Sequence, residues 1–482
     1  MRLFFVFIGL SLCAFSHPLK LHPDNPRYFL YNGEPTVLIG SGEHYGAVLN
    51  LDFDYDLYLE TMQKDGQNLT RLFTGSYVEK LGAFGIKQNT LAPAENKFLP
   101  PWGRSDTPGY INGGNKFDLD TWNADYFSRL IDFVHKAKER EIFVEVVMFS
   151  SNYTDDNWRY MPFHPENNVN DIQLENRKKC NTLDNGKIFS YQEKMVRKIV
   201  RELNEFDNIY YEIQNEPWAD QGDSAGVVLE HLVDDQLPSN WQNLVEVANA
   251  ASLKWQAKIA EIIVDEEKSL PKKHIIAQNY CNFVHPLEHV EDNIAVLNFH
   301  YALPRCVDVN LGWNRPIAFD ESGFAGHGDD VYRRQAWRFI MSGGAVFSGL
   351  DYSFYPGHED GTGELLGPGG GGGALRRQLA ALRRFISSFD LKTLHPDPST
   401  IQHHPGLYTY LLSTPGQQYA GYLEGGKSRI TLELPAGQYS LQWIDVKSGS
   451  TVKEETITAN ASSTTITSPP FEQEMAFAIR KR

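Results

Sequence analysis

Two short stretches carry the residues best suited to chemistry. Asn208 to Trp218 reads NIYYEIQNEPW. Ile209, Tyr210, Tyr211 and Ile213 form an apolar, β-branched and aromatic run, which predicts a buried strand. Asn215-Glu216-Pro217 ends it, because proline cannot donate to a sheet ladder and pushes the residue before it out of the helical region. Glu216 is therefore expected at the carboxyl end of a strand, where parallel α/β sheets hold their ligands. Arg315 to Gly326 (RPIAFDESGFAG) repeats the design, with Glu321 at the end and Gly323 breaking the run. Two carboxyls facing each other across a cleft can cleave a glycosidic bond: one protonates the departing oxygen while the other attacks the anomeric carbon. The proton donor must stay neutral near neutral pH, which partial burial and a second carboxylate favour. A separation of roughly 5–5.5 Å suits a retaining double displacement, and roughly 6.5–9.5 Å an inverting one.

The elements that must bring these two residues together can be read from the pattern of apolar runs. Strands are expected at 37–40, 68–73, 142–149, 209–213, 274–278, 294–299, 316–320 and 345–350, separated by helices or long loops. This alternation predicts an α/β fold, a (β/α)₈ TIM barrel, over residues 17–392, with Glu216 ending strand four and Glu321 strand seven. A hairpin turning at Asn32-Gly33 leads into the first strand. Residues 77–120 form an excursion too long for an idle loop, and Leu244 to Leu270 is expected as one helix. Gly367 to Gly373 (GPGGGGG) reads as a loop at the barrel mouth or a flexible flap. From residue 395 to 482 short alternating runs separated by Pro/Gly turns predict a small antiparallel β-sandwich.

Composition limits the partners. A net charge of −16 argues against nucleic acid or an anionic membrane as partner. Residues 1–16 (MRLFFVFIGLSLCAFS) have the positive start, apolar stretch and small-x-small end of a signal peptide, so a secreted protein, extracellular or periplasmic, is expected. Leu12 disfavours lipid attachment at Cys13. No later apolar run reaches membrane-spanning length. Cys180, Cys281 and Cys306 then remain, and Cys281 and Cys306 could pair or stay free thiols. No Cys/His cluster has zinc spacing, so no metal is expected, nor any organic cofactor. Asn68-Leu-Thr, Asn152-Tyr-Thr and Asn460-Ala-Ser match the glycosylation sequon.

Asn215-Glu216-Pro217 at strand four and Glu321 at strand seven resemble the clan of retaining (β/α)₈ glycoside hydrolases that includes the family 5 cellulases and mannanases. The resemblance covers roughly residues 25–390. It implies Glu216 as acid/base, Glu321 as nucleophile and Asn215 as a hydrogen-bond partner of the sugar's 2-hydroxyl. It also implies Arg71 beside the nucleophile, and His300 and Tyr301 as the strand-six pair whose tyrosine hydroxyl touches the nucleophile. The clan usually ends strand eight in tryptophan, whereas this chain reads Leu350-Asp351-Tyr352-Ser353-Phe354. Gly437-x-Tyr439-x-x-x-Trp443-x-Asp445 looks like a small β-sandwich often appended to such barrels and labelled a collagen-binding domain, a label that is no evidence of collagen binding. Trp158, Trp218 and Tyr352 are candidate sugar platforms. Glu43, His44, Asp351, His358 and Asp360 are too polar for a core and are candidate substrate contacts. The expected partner is a poly- or oligosaccharide, and the long loops after strands two and three suggest a walled pocket and exo action. The competing reading is a non-catalytic carbohydrate-binding or adhesion protein on the same barrel.

Overall fold

The computed structural model describes residues 17–228, 241–426, 428–460 and 463–482; the expected signal peptide lies outside them. Eight parallel strands form the barrel: β1 (Leu38–Gly42), β2 (Leu69–Phe73), β3 (Phe143–Ser150), β4 (Ile209–Asn215), β5 (Ile276–Asn282), β6 (Val296–His300), β7 (Ile317–Glu321) and β8 (Val346–Leu350). Hydrogen bonding runs in the order β1-β8-β7-β6-β5-β4-β3-β2. Every residue of these strands is buried, as continuous apolar runs predict for strands covered on both faces.

The circle closes between β1 and β2 at Asn68, whose backbone N–H donates to Ile39 O at 3.1 Å and whose side chain adds two more bonds. Asn68 Oδ1 accepts the Ile39 N–H at 2.8 Å, and its Nδ2 donates to Val37 O at 3.0 Å. The two strands approach so closely that a Cβ on Gly40 would lie 2.2 Å from Leu69 O. Asn68 is 4% exposed and fully engaged, so the first sequon is closed to modification in the folded protein. Asn152 is buried in the same way.

Amphipathic helices cover the barrel: α1 (Tyr55–Lys64), α2 (Ala124–Glu139), α3 (Ile188–Leu203), α4 (Ala250–Glu267), α5 (Arg305–Asn310), α6 (Asp329–Met341) and α7 (Gly373–Ser387). Residues 283–295 join β5 to β6 without a helix. The expected hairpin turns at Asn32-Gly33, both in the left-handed region. The excursion after β2 contains an antiparallel ribbon, Trp102–Pro108 against Asn115–Trp122.

Two expectations need correction. Leu244 to Ala248 is not helical: its β-branched Val245 and Val247 form a strand paired with Gly222–Val227 and, through Val247, with β5. Helix α4 begins only at Ala250, where Asn249 caps it by accepting the N–H groups of Ala251 and Ser252. Of the two readings of the glycine run after β8, the loop agrees with the structure and the flap does not. Tyr352 N–H donates to Gly370 O, Gly372 N–H donates to Asp351, and a Cβ at Gly367 or Gly369 would lie 2.3 Å from the Tyr352 ring. Glycine is required there because the backbone is pressed flat on an aromatic face.

The C-terminal strands are all antiparallel. Six form one sheet in the order 395–396, 408–414, 418–424, 474–481, 437–444, 451–459, and three form another in the order 401–403, 429–433, 463–467. Tyr439 and Trp443 lie in the core between the sheets. The other face of the larger sheet joins the barrel's own core: Tyr422, Ala476 and Ala478 pack against it, and Tyr422 stacks on Trp337 of α6 at 5.3 Å. Cys180, Cys281 and Cys306 are buried and unbridged. Among the described residues no helix is long and apolar enough to cross a membrane.

Candidate active site

The floor of the site is a buried cluster of charge on alternate, inward-facing strand residues. Arg71 of β2 sits within ion-pair distance of Glu145 (3.2 Å), Asp320 (3.1 Å), Glu321 (3.7 Å) and Glu212, and donates to Asn215 Oδ1 at 3.1 Å. Four carboxylates thus share one guanidinium. Burial, together with the neighbouring negative charges, pushes Glu145 well above the ordinary carboxylate range, and burial also raises Glu212. The cluster holds protons at neutral pH.

Above this floor the strand ends turn sharply. Tyr45, Tyr153, Glu216, Phe283 and Tyr301, in the turns after β1, β3, β4, β5 and β6, all adopt positive φ, between 46° and 62°. For residues with a Cβ this costs about 1 kcal/mol each and re-aims the side chain relative to the strand. Four of them then meet as two groups. Tyr45 and Tyr301 donate their hydroxyls to Glu321 Oε2 and Oε1 at 3.0 and 2.6 Å. Tyr153 donates to Glu216 Oε2 at 2.9 Å and accepts from Asn215 Nδ2 at 2.8 Å.

The two glutamates differ in environment. Glu321 has two hydroxyl donors and the Arg71 guanidinium, all of which stabilise an anion. Burial raises Glu216 to about 7, opposed by the Tyr153 hydrogen bond and by the charges of Arg71 and His44. His300 Nδ1 lies 3.1 Å from Glu216 Oε1 and 3.9 Å from Glu321 Oε1. Burial pushes His300 down to about 4, so its imidazole is neutral near pH 7. Carboxylate oxygens of Glu216 and Glu321 and a ring nitrogen of His300 all lie within 4.8 Å of one another. Glu212, His300 and Asp320 form a second such triad, and these are the places among the described residues where a cation could be held. In the deeper triad the Arg71 guanidinium already supplies the positive charge.

The structure sorts the residues expected from the sequence. His44, Asn215, Glu216, Trp218, Tyr301 and Glu321 line one cleft at the barrel mouth. Arg71 and His300 lie beneath it, fully buried, in contact with Glu321 and Glu216 respectively. Trp158 packs against His164 at the end of the short helix Asp155–Trp158 and does not reach the cleft. Asp351 is spent on Arg376, Ser353 and the Gly372 N–H, and Tyr352 is covered by the glycine run, so neither is placed to bind a substrate. Glu43 holds its own loop, accepting from Gly46 N–H, Ala47 N–H and Thr90. His358 and Asp360 are exposed and line no part of the cleft.

Sequence reasoning missed Tyr45, Tyr153, Glu79, Trp241 and Glu246, which also line the cleft. A signal existed for the first two. His44-Tyr45, Asn152-Tyr153 and His300-Tyr301 each put a tyrosine after a polar residue, just past a barrel strand. Glu79 and Glu246 lie in excursions where strand counting gives no position.

No protein-family model matches the chain, and no curated protein does. Solved structures do. A structure named as a glycoside hydrolase aligns over 96% of this chain and 97% of its own, at 12% identity and a TM-score of 0.57. A glycoside hydrolase family 5 protein from Bacteroides vulgatus covers 96% and 93%, at 12% identity and a TM-score of 0.60. A second Bacteroides vulgatus protein covers 97% and 82%, at 11% identity and a TM-score of 0.65. At such identities the likeness speaks for the fold, a TIM barrel followed by antiparallel strands.

Proposed function

We propose that the protein is a secreted glycoside hydrolase that cleaves O-glycosidic bonds of a poly- or oligosaccharide by a retaining double displacement. The observation that carries this reading is the pairing of Glu216 and Glu321, whose carboxylate oxygens lie within 4.8 Å of each other in opposite electrostatic settings. That proximity of one oxygen from each carboxylate favours the roughly 5–5.5 Å arrangement of retaining enzymes over the wider one of inverting enzymes. Glu321, fixed by two tyrosines and Arg71, attacks the anomeric carbon as the nucleophile. Glu216, retaining its proton up to about pH 7, gives that proton to the departing oxygen and then activates water for the second step. Asn215, fixed by Arg71 and Tyr153, lines the cleft beside Glu216 with its amide ready for a sugar hydroxyl.

The test is a panel of aryl glycosides and polysaccharides assayed with wild type and Glu321→Gln. Sugar release by wild type alone, with the first product keeping the anomeric configuration of the substrate, is the expected result. Glu216→Ala should still release a good leaving group and be accelerated by azide. Glycosyl azide of retained configuration from Glu321 variants, with the inverted azide from Glu216 variants, would mean that the two roles are exchanged. Binding of a glycan without turnover by wild type would favour the non-catalytic alternative.

A further inference from the structure

Beside the catalytic pair, the cleft contains a second constellation of buried polar groups. Glu79, in the excursion after β2, lines the cleft yet is only 4% exposed. Three donors hold its carboxylate: Tyr77 Oη (3.2 Å) and His44 Nε2 (3.0 Å) on Oε1, and Asn89 Nδ2 (3.1 Å) on Oε2. A carboxylate has about four acceptor positions, so one is left. His44 is 9% exposed, and its other ring nitrogen, Nδ1, has no hydrogen-bond partner. Burial works against a charge on His44, but Glu79, with Glu321 and Glu43, offsets it and the pKa is raised. The unpartnered Nδ1 is a donor when the ring is protonated and an acceptor when Nε2 alone carries hydrogen. An unpartnered ring nitrogen and a spare carboxylate acceptor in one cleft lining call for a ligand whose groups can both donate and accept, and neighbouring hydroxyls of a sugar do both.

The position of this pair identifies which sugar it meets. The His44 ring stacks on Tyr45 at 5.5 Å, and Tyr45 donates to Glu321. The constellation therefore adjoins the nucleophile, over which the sugar that becomes covalently held must sit. The segments around it are tightly packed. Gly46 is pressed against Thr90 so tightly that a Cβ would lie 2.3 Å from the Thr90 carbonyl carbon, and Asn50 Nδ2 donates to Thr90 O at 2.9 Å. Lys87 N–H donates to Leu366 O at 2.8 Å, tying the β2 excursion to the loop after β8. The described cleft lining also carries four carboxylates, Glu79, Glu216, Glu246 and Glu321, and no lysine or arginine, so an anionic sugar would be repelled.

We propose that Glu79 and His44 form the end wall of the glycone subsite, gripping two hydroxyls of a single uncharged terminal sugar and restricting the enzyme to cleavage from chain ends. The proposal rests on the glycosidase reading and deepens it.

The decisive substrates are oligosaccharides of the sugar found in the aryl glycoside panel, supplied uncapped or with the hydroxyls of the non-reducing terminal sugar methylated. Wild type should release monosaccharide one unit at a time from uncapped chains and leave capped chains intact. Glu79→Gln should lose about 10–100-fold in kcat/KM on uncapped chains, the cost of a charged hydrogen bond, while melting like wild type. If Glu79→Gln fails to fold, the capped substrate still decides with wild type alone. Capped chains cut as fast as uncapped ones would overturn the wall, and so would internal cleavage that lowers polysaccharide viscosity before monosaccharide appears. Those results would leave the glycosidase reading standing. If wild type hydrolyses no aryl glycoside at all, that reading falls and the wall falls with it.

Discussion

Arg71 and Arg333 are both buried among carboxylates, and their surroundings differ in balance. Arg71, in the barrel, stands alone against Glu145, Glu212, Asp320 and Glu321. Arg333, on α6 where the C-terminal sheet packs, meets Glu474 at 2.5 Å and Asp330 at 2.6 Å, while Arg334 also contacts Glu474 and Arg338 takes Glu424 at 2.6 Å. Tyr422 adds a hydroxyl to Glu474 at 2.9 Å. Among the described residues the second cluster has three arginines for three carboxylates, so cations and anions are matched there. The first has an excess of negative charge, which burial converts into retained protons and raised carboxyl pKa values. A neutral cluster locks two surfaces together. An unbalanced one holds protons close to reacting groups at a cost in stability, which is the pattern of functional sites.

The contrast can be broken by substitution. Glu321→Gln should abolish turnover by about 10⁴-fold or more, as loss of a nucleophile does, yet leave the melting temperature unchanged or higher, because it removes one excess negative charge. Kinetics and a melting curve on one preparation check both halves; a destabilised variant would mean that the barrel cluster is balanced after all. Arg71→Met should remove about 3–5 kcal/mol of stability, since the carboxylates then have no cation, and turnover should go with it. Denaturant unfolding measures that loss. Glu474→Gln should cost about 3 kcal/mol and leave kcat/KM within twofold of wild type, which separates the structural cluster from the catalytic one.

The smallest effect concerns protons. In the proposed role Glu216 gives up its proton only while it holds one, so kcat/KM should fall above about pH 7. The Tyr153 hydroxyl favours ionised Glu216, so Tyr153→Phe should raise the pKa further and move the descending limb to higher pH, with about a tenfold loss of rate at the optimum. A limb that moves to lower pH would assign it to another group. The same shift bears on stability. The folded state holds the Glu216 proton more tightly than the unfolded chain does, so this group's contribution is full below about pH 4.5 and is lost as pH rises through about 7.

The barrel could be read from the sequence because its strands are continuous apolar runs, and such runs do not depend on distant partners. Glu216 and Glu321 could be placed because proline and glycine end their strands abruptly. Trp158 and Asp351 could not. A tryptophan or an aspartate past a strand end can turn toward a ligand or into the protein, and here His164 and Arg376 decided the matter. The same holds for the glycine run, where the ring of Tyr352, fifteen residues before Gly367, turned an apparent flap into a packed loop. Glu79 was out of reach for another reason: its donors come from the β1 loop and its own excursion, and only the closed barrel puts them together.

The amide that closes the barrel between β1 and β2 has a consequence for making the protein. Asn68 belongs to an Asn-Leu-Thr sequon, and in the finished molecule both ends of its side chain are taken by the backbone of the neighbouring strand. A eukaryotic secretory host attaches glycans to the nascent chain, before any barrel exists to hide that side chain. A sugar there would occupy the Nδ2 that must donate to Val37 O and would hold the two strands apart. Material from yeast or insect secretion should therefore contain a misfolded fraction glycosylated at Asn68, which bacterial expression avoids and Thr70→Ala, by destroying the sequon, should rescue.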